Sequence, residues 1–277
     1  MAWLEIAGSA ITVADLGVKL AKSSGVLRRN TQRIIYAVTK GNVYIPIFGC
    51  GGAGKTTAAK ILGGTDPLEL SAPYEESWRV EPVKLTGDVP GQILAAPGQI
   101  DKTERHWPEL YKNVITKRNV GIINVVSYGY HSLKISKYEE HKAFKAGMKE
   151  NDFLEKYIEE RRDLEISFLN TLLDSISASS GPLWMITLVN KQDLWRDDGE
   201  DVKNHYTQGA YNDRIEKFRN SIGKNNFQHD YVAASLTISN LGTDSGQILA
   251  KSTAGYGIPD HLSGINLFIS RVSEMIE

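Results

Sequence analysis

Cysteine is almost absent from this sequence, and so is any excess of charge of one sign. The single cysteine, Cys50, excludes internal disulfides and cysteine-rich metal sites and fits a reducing compartment, so we expect a cytoplasmic location. With 32 basic and 33 acidic residues the net charge is -1, which provides no overall field to attract nucleic acid or an anionic membrane. A small-molecule or protein partner is favoured instead.

Long apolar runs are also missing. No window reaches about 18 consecutive apolar residues, and Met1 is not followed by a basic segment with a short apolar core, so neither a membrane span nor a signal peptide is expected. The chain nevertheless has 277 residues, of which 41% are hydrophobic, and this is enough for one large domain with additions.

The strongest pattern that is present lies in residues 43–60, VYIPIFGCGGAGKTTAAK. A strand-like apolar run leads into Gly49, and Gly54, Lys55 and Thr56 complete the pattern G-x-x-x-x-G-K-T before a helix-favouring segment. Glycines let the backbone curl so that successive N–H groups and the positive end of the helix surround phosphates. Lys55 would reach the terminal phosphates and the Thr56 hydroxyl would bind Mg²⁺. The alternative is an ordinary glycine turn.

A second motif follows the apolar run 182–189, PLWMITLV. Its residues, Asn190-Lys191-Gln192-Asp193, resemble the N-K-x-D guanine-recognition motif of the Ras-like GTPases. A carboxylate at Asp193 can accept from guanine N1–H and the exocyclic amino group together, and adenine offers no such donor pair. Lys191 would cover the base plane with its aliphatic stem, and Asn190 would join this loop to the phosphate loop. Taken alone, the motif could be a polar turn after a strand.

The resemblance to this family extends beyond the two motifs. Residues 231–236, YVAASL, loosely match the last base-contacting turn, and residues 98–111, GQIDKTERHWPELY, look like the segment after the second switch in the Arf branch. Residues 120–127 form an apolar run typical of a buried strand. The similarity covers about residues 42–132 and 181–277, and it implies an α/β fold with a doubly wound, mostly parallel sheet and nucleotide at the carboxyl ends of the strands.

The family implies which residues hold a guanine nucleotide, GTP or GDP. They are Gly51, Gly52, Ala53, Gly54, Lys55, Thr56 and Thr57 of the phosphate loop, Gly98 of the second switch, Asn190, Lys191 and Asp193 of the base motif, and Ala234, Ser235 and Leu236 of the last turn. Gln99 and Lys55 are the expected catalytic residues, since a glutamine in this family orients the attacking water. Thr56 is the expected ligand of Mg²⁺.

The position of the second switch depends on a repeated tetrapeptide, PGQI, at residues 90–93 and 97–100. Asp88 precedes the first copy and completes D-x-x-G-Q, the form this family uses, in which the carboxylate holds a water of the Mg²⁺ shell. The second copy has Ala95 at the corresponding position. The two copies therefore make different predictions about metal binding.

The number of strands favours the second copy. The fold requires two strands between the first helix and the switch, and residues 77–85 and 91–96 supply them only if the switch lies at Gly98 and Gln99. The Mg²⁺ shell would then lack an acid at Ala95, so we expect weak metal binding and slow intrinsic hydrolysis.

The first switch is less clearly marked. It should offer a hydroxyl to Mg²⁺ from residues 64–77, where Thr65 is the only threonine but lies very close to the preceding helix. Ser71 and Ser77 are the alternatives.

Three segments are additional to the family pattern. Residues 1–41 form an N-terminal helical extension to a GTPase domain at 42–277, and we expect two helices there, separated by a turn at 23–25. We expect this hairpin to pack on its own domain; docking to a partner or peripheral contact with a membrane is the alternative. Residues 131–180 form a long helical insertion, and residues 237–259 a loop or short hairpin.

The sequence predicts a GTP-binding protein that hydrolyses GTP slowly and acts as a molecular switch with a protein effector or regulator. The alternative is a hydrolysis-deficient guanine-nucleotide-binding scaffold that acts through its extra helices. An ATP-dependent kinase would share the phosphate loop but would leave Asn190 to Asp193 unexplained.

Overall fold

The structure, a computed structural model, describes residues 13–70, 81–84, 90–95, 108, 110–117, 119–179 and 181–277. In chain order the helices and strands are α1 (Val13–Thr39), β1 (Ile45–Gly49), α2 (Lys55–Leu62), β2 (Glu81–Lys84), β3 (Pro90–Ala95), α3 (110–116), β4 (Val120–Val126), α4 (Glu150–Ser175), β5 (Leu183–Val189), α5 (Gln192–Trp195), α6 (Gly199–Thr207), α7 (Ala210–Ile222), β6 (Phe227–Ala233), β7 (Leu241–Gly242), β8 (Ile248–Ala250) and α8 (Ile258–Ile276).

Six of these strands form one sheet in the order β2-β3-β1-β4-β5-β6. Strand β2 is antiparallel to β3, and every other neighbouring pair is parallel. The two strands predicted between the first helix and the second switch are β2 and β3. The predicted doubly wound, mostly parallel sheet is therefore confirmed.

Helices cover both faces of this sheet, which explains why its central strands are continuous apolar runs. Every residue of β1, β4 and β5 is buried. Successive side chains of a strand point to opposite faces, so Phe48 belongs to the same apolar cluster as Leu169 of α4 and Phe218 of α7. Ile47 belongs to the other cluster, with Phe268 of α8. Helices α3, α4, α6 and α7 thus cover one face, and α1, α2 and α8 cover the other.

Helix α1 is continuous, and the turn predicted at residues 23–25 was wrong. Within a helix glycine costs about 1 kcal/mol and serine less, so these residues alone do not end it. The second half of α1 packs on α8: Ile34 and Val38 are buried, and Asn30 Nδ2 donates to Ser270 Oγ over 3.0 Å. Among the described residues, no helix is both long enough and apolar enough to cross a membrane.

Helix α4 lies between β4 and β5 and is part of the core rather than only an addition to it. One face of α4 and its C-cap is apolar, and all of these side chains are buried: Phe168, Leu169, Leu172, Leu173 and Ile176.

The loop before α4 and the segment after β6 pack against each other. Strands β7 and β8 form the short hairpin predicted for this segment. Leu133 and Phe153 share a small apolar cluster with Leu241 and Leu249 of the hairpin. The two insertions thus form one structural unit beside the carboxyl ends of β4 and β5.

Candidate nucleotide-binding site

Three loops meet where parallel strands end. Residues 50–54 follow β1, residues 190–193 follow β5, and residues 234–236 follow β6. The carboxyl ends of parallel strands lie at the same edge of a sheet, which is where doubly wound folds bind ligands. The structure therefore brings the predicted phosphate loop, base motif and last turn together.

The first loop leads directly into a helix. Helix α2 begins at Lys55, and its N-cap, Gly54, has a left-handed conformation with φ of 108°. A Cβ atom on Gly54 would lie 2.3 Å from Nδ2 of Asn190, so both the backbone conformation and the space require glycine. No side chain caps α2 and its first turn contains no acidic residue. This helix end therefore favours an anion.

Lys55 lies inside this loop. Its side chain is buried, and its Nζ donates to the carbonyl oxygen of Cys50 over 2.9 Å. Burial disfavours the charged ammonium and lowers the pKa of Lys55 to about 8. A phosphate beside Nζ would favour the charged form again, so this environment matches an anionic ligand.

Thr56 and Thr57 follow in the first turn of α2 and are half-buried. The described part of the chain contains no group of three or more histidine, cysteine, aspartate or glutamate side chains that could hold a metal ion. A hydroxyl at Thr56 together with phosphate and water oxygens fits Mg²⁺, which usually keeps several waters. The residues described at this position therefore fit Mg²⁺ bound together with a phosphate.

Asn190 connects all three loops. Its Nδ2 donates to the carbonyl oxygen of Ala53 over 2.7 Å, and its Oδ1 accepts from the N–H of Leu236 over 2.9 Å. Its own carbonyl oxygen accepts from Nε1 of Trp195 over 2.7 Å. The predicted contact between the base motif and the phosphate loop is present.

Asp193 is buried, and both oxygens of its carboxylate accept hydrogen bonds. Ser235 Oγ donates to Oδ1 over 2.5 Å and also accepts from the N–H of Asp193 over 2.7 Å. The N–H of Ser239 donates to Oδ2 over 3.0 Å. A carboxylate oxygen accepts in two directions, so each oxygen retains capacity for one more donor. Ser239 was not predicted, since it lies in an insertion without a local signal.

Lys191 has a left-handed backbone, with φ of 61°. Its Nζ donates to Oγ of Ser132 over 3.0 Å. Burial lowers the pKa of Lys191 to about 8, although the negative charges of Asp193 and Glu165 oppose that shift. Ser132 also was not predicted, and nothing in the local sequence marks it.

The last turn, Ala234, Ser235 and Leu236, is bonded to the loop after β5. Ala234 is buried; its N–H donates to the carbonyl oxygen of Val189 over 3.1 Å, and its own carbonyl oxygen accepts from the N–H of Gln192 over 3.3 Å. Both backbone groups of Ala234 therefore hold the loops together. Ser235 and Leu236 contact the base motif directly.

The other residues predicted for the nucleotide and metal site do not all lie in the three loops. Gly51 is half-buried, and Gly52 and Ala53 are buried in the phosphate loop. Ala95 is the last residue of β3, and Thr65 follows α2 with its N–H donating to the carbonyl oxygen of Lys60 over 3.0 Å. Gly98, Gln99, Asp88, Ser71 and Ser77 lie outside the described residues.

The strand order, the antiparallel β2 and the phosphate loop between β1 and α2 define the class: the chain has a doubly wound α/β fold with a P-loop. No protein-family model matches the chain, and no curated protein sequence does.

Two solved structures similar to it differ in how much of this chain they cover. The signal recognition particle receptor SRb-GTP/SRX complex from Chaetomium thermophilum has a TM-score of 0.41 at 12% identity and covers 72% of this chain and 95% of its own. An ADP-ribosylation-factor-like GTP-binding protein, the small COPII coat GTPase Sar1 from Encephalitozoon cuniculi in complex with GDP, has a TM-score of 0.38 at 13% identity and covers 94% of each chain.

Proposed function

We propose that this chain binds guanine nucleotides, GTP and GDP, at the junction of the three loops and acts as a slow GTP-hydrolysing switch. The observation that supports this most is the pair of hydrogen bonds made by Asn190, to Ala53 and to Leu236. They hold the phosphate loop at a fixed distance from the base motif, as a nucleotide that spans both loops requires.

The phosphates bind at the start of α2 in this proposal. The uncapped helix end and Lys55 supply donors and positive charge, and Thr56 holds Mg²⁺ together with the phosphates. The bound metal would neutralise phosphate charge.

The base binds beside Asp193. Its carboxylate, oriented by Ser235 and by the N–H of Ser239, accepts from the two adjacent donors of guanine. An adenine at the same place would present no such donor pair and would leave the carboxylate facing a ring nitrogen. The ATP-dependent alternative is therefore disfavoured.

Hydrolysis depends on Gln99, which we propose orients the attacking water. The turnover is slow because Ala95, at the end of β3, brings no carboxylate toward the metal. That same alanine favours a second candidate function, a scaffold that binds guanine nucleotide without hydrolysing it and acts through the packed insertions. Single-turnover hydrolysis of bound GTP separates the two candidates.

The same proposal includes a protein partner, a cellular location and a role for the N-terminal extension. A protein effector or regulator would respond to the bound nucleotide, in the cytoplasm. The packing of α1 on α8 supports an extension at 1–41 that is attached to a GTPase domain at 42–277. Peripheral membrane contact would then be restricted to the first part of the extension.

The experiment is a titration of the full chain with fluorescent GDP and fluorescent ADP, in the presence of Mg²⁺. We expect strong preference for GDP in the wild type and loss of that preference in Asp193→Asn, because an amide presents only one acceptor. Asp197→Asn is the matched control, since Asp197 is exposed on the following helical turn. Equal affinity of the wild type for both nucleotides would show that the proposed function is wrong.

A further inference from the structure

The loop after β4, residues 127–133, lies directly against the phosphate loop. The N–H of Ser132 donates to the carbonyl oxygen of Gly52 over 3.2 Å. A Cβ atom on Gly52 would lie 2.7 Å from that same nitrogen, and the φ of Gly52 is 79°. The phosphate loop is thus shaped to let the backbone of Ser132 approach.

Ser132 also contacts the base motif, through its side chain. Its Oγ accepts from Nζ of Lys191 over 3.0 Å. One residue therefore contacts two of the three loops of the site, with its backbone bonded to one loop and its hydroxyl bonded to the other.

A buried carboxylate fixes the loop from the opposite side. Glu165 of α4 accepts from the N–H of Ser127 over 2.8 Å, from Nε2 of His131 over 2.7 Å and from the hydroxyl of Tyr206 over 2.6 Å. Burial would raise the pKa of Glu165, but the hydrogen bonds from His131 and Tyr206 hold it below its usual value. The carboxylate is therefore ionised, and both of its oxygens accept hydrogen bonds.

A second contact acts at the same place. The hydroxyl of Tyr157 donates to the carbonyl oxygen of His131, the residue before Ser132, over 3.0 Å. The backbone that precedes Ser132 is thus bonded to α4 at two points, Ser127 and His131, which holds Ser132 against the phosphate loop.

We propose that Ser132 is a positioning residue of the nucleotide site: its hydroxyl holds the ammonium of Lys191 beside the phosphate loop, so that the aliphatic stem of Lys191 stays in place to cover the base. This inference rests on the proposed function. It assigns to an insertion loop a role that neither nucleotide motif supplies.

The test measures the rate at which fluorescent GDP leaves the full chain, in the wild type, Ser132→Ala, Lys191→Ala and the double variant. Loss of one hydrogen bond to a charged group should speed release at least about tenfold in Ser132→Ala. Lys191→Ala should speed release more. The double variant should match Lys191→Ala alone, because Ser132 acts through that lysine.

Two further variants complete the set. Ser132→Thr keeps the hydroxyl and should release GDP at close to the wild-type rate. Ser245→Ala removes a hydroxyl from the other insertion, where it donates to the carbonyl oxygen of Ser136, and should also leave the rate unchanged.

The outcomes separate this inference from the function on which it rests. If the wild type binds guanine nucleotide but Ser132→Ala releases it at the wild-type rate, the inference alone is wrong. The same holds if the two single effects multiply in the double variant, which would mean that Ser132 only supports the loop backbone. A wild type that binds no guanine nucleotide would remove the proposed function and this inference with it.

Discussion

Nδ2 of Asn190 lies 2.7 Å from the carbonyl oxygen of Ala53, so a residue after β5 is bonded to the loop after β1. The other end of the same amide accepts from the N–H of Leu236, after β6. One buried side chain therefore sets the spacing of three loops that are far apart in sequence. Removing its donor should affect the site more than removing any single contact within one loop.

Asn190→Asp tests this directly. It keeps the acceptor for Leu236 but turns a carboxylate oxygen toward the carbonyl oxygen of Ala53. We expect the free energy of unfolding to fall by about 1–3 kcal/mol, with at least a roughly tenfold loss of GDP affinity. Urea unfolding and a GDP titration measure the two effects. Asn212→Asp is the control, because the side-chain oxygen of Asn212 accepts from the hydroxyl of Tyr231 and an aspartate keeps that acceptor.

The second prediction concerns pH and the two lysines of the site. Lys55 and Lys191 each have a pKa of about 8 in the nucleotide-free protein. Phosphates favour the charged form, so above about pH 8 binding must take up protons, and GDP affinity should fall by up to about tenfold per pH unit for each lysine involved. Affinities measured on both sides of this pH check the prediction. Lys55→Met should flatten the profile, and a wild-type profile that is already flat would contradict it.

As pH rises above about 8, the folding stability of the nucleotide-free protein should increase, whereas its GDP affinity falls. The pKa of Lys55 is lowered from 10.5 to about 8, so between these values the unfolded chain binds more protons than the folded one. Stability therefore rises with pH across that window, by linkage. Urea unfolding without nucleotide measures this contribution.

Glu165 gives the third prediction. Glu165→Gln leaves the N–H groups of the loop after β4 facing an amide with one acceptor and should cost about 1–3 kcal/mol of folding stability. Glu160→Gln, on the exposed side of the same helix, is the matched control and should change stability by less than about 0.5 kcal/mol. Because the folded pKa of Glu165 is lowered, the difference from the wild type should shrink as pH falls through the acid range. Equal stabilities near neutral pH would contradict the buried network.

Features that depend on residues close together in the sequence could be predicted from it. They include the apolar runs of β4 and β5, the glycine pattern before α2 and the N-K-x-D turn. The turn at 23–25 was wrong because two serines and one glycine lower helix propensity too little to end a helix on their own. Ser132 and Ser239 were missed because each reaches the site through an insertion and uses a hydroxyl or a backbone N–H, which leaves no composition signal.

The packing of α1 gives the fourth prediction. Ile34 is fully buried against the core beneath α8, whereas Tyr36, two residues later, is 62% exposed. Ile34→Ala should cost about 2–4 kcal/mol of folding stability, and Tyr36→Ala less than about 0.5 kcal/mol. Comparable losses in urea unfolding would mean that α1 packs through a different face.

The two copies of PGQI differ in their relation to strand β3. Strand β3 is parallel to β1, and Ala95 at its carboxyl end pairs with Ile47, two residues before Gly49 of the phosphate loop. Pro90, at the other end of β3, pairs with Lys84. Six residues of strand separate the two ends by about 17 Å. The second copy therefore continues from the end of β3 that lies beside the phosphate loop, which supports the assignment of the switch to Gly98 and Gln99.

The fifth prediction follows from this difference between the two ends of β3. Ala95→Asp brings a carboxylate to the end beside the phosphate loop and should strengthen the Mg²⁺ dependence of GDP binding, because a carboxylate can hold a water of the metal shell. Asp88→Ala should leave that dependence unchanged, since Asp88 precedes the opposite end of the strand. GDP affinity measured across a Mg²⁺ titration compares the two variants with the wild type. If Asp88→Ala instead abolishes Mg²⁺-dependent binding, the first copy is the second switch, and Gln92 rather than Gln99 becomes the glutamine to test in hydrolysis.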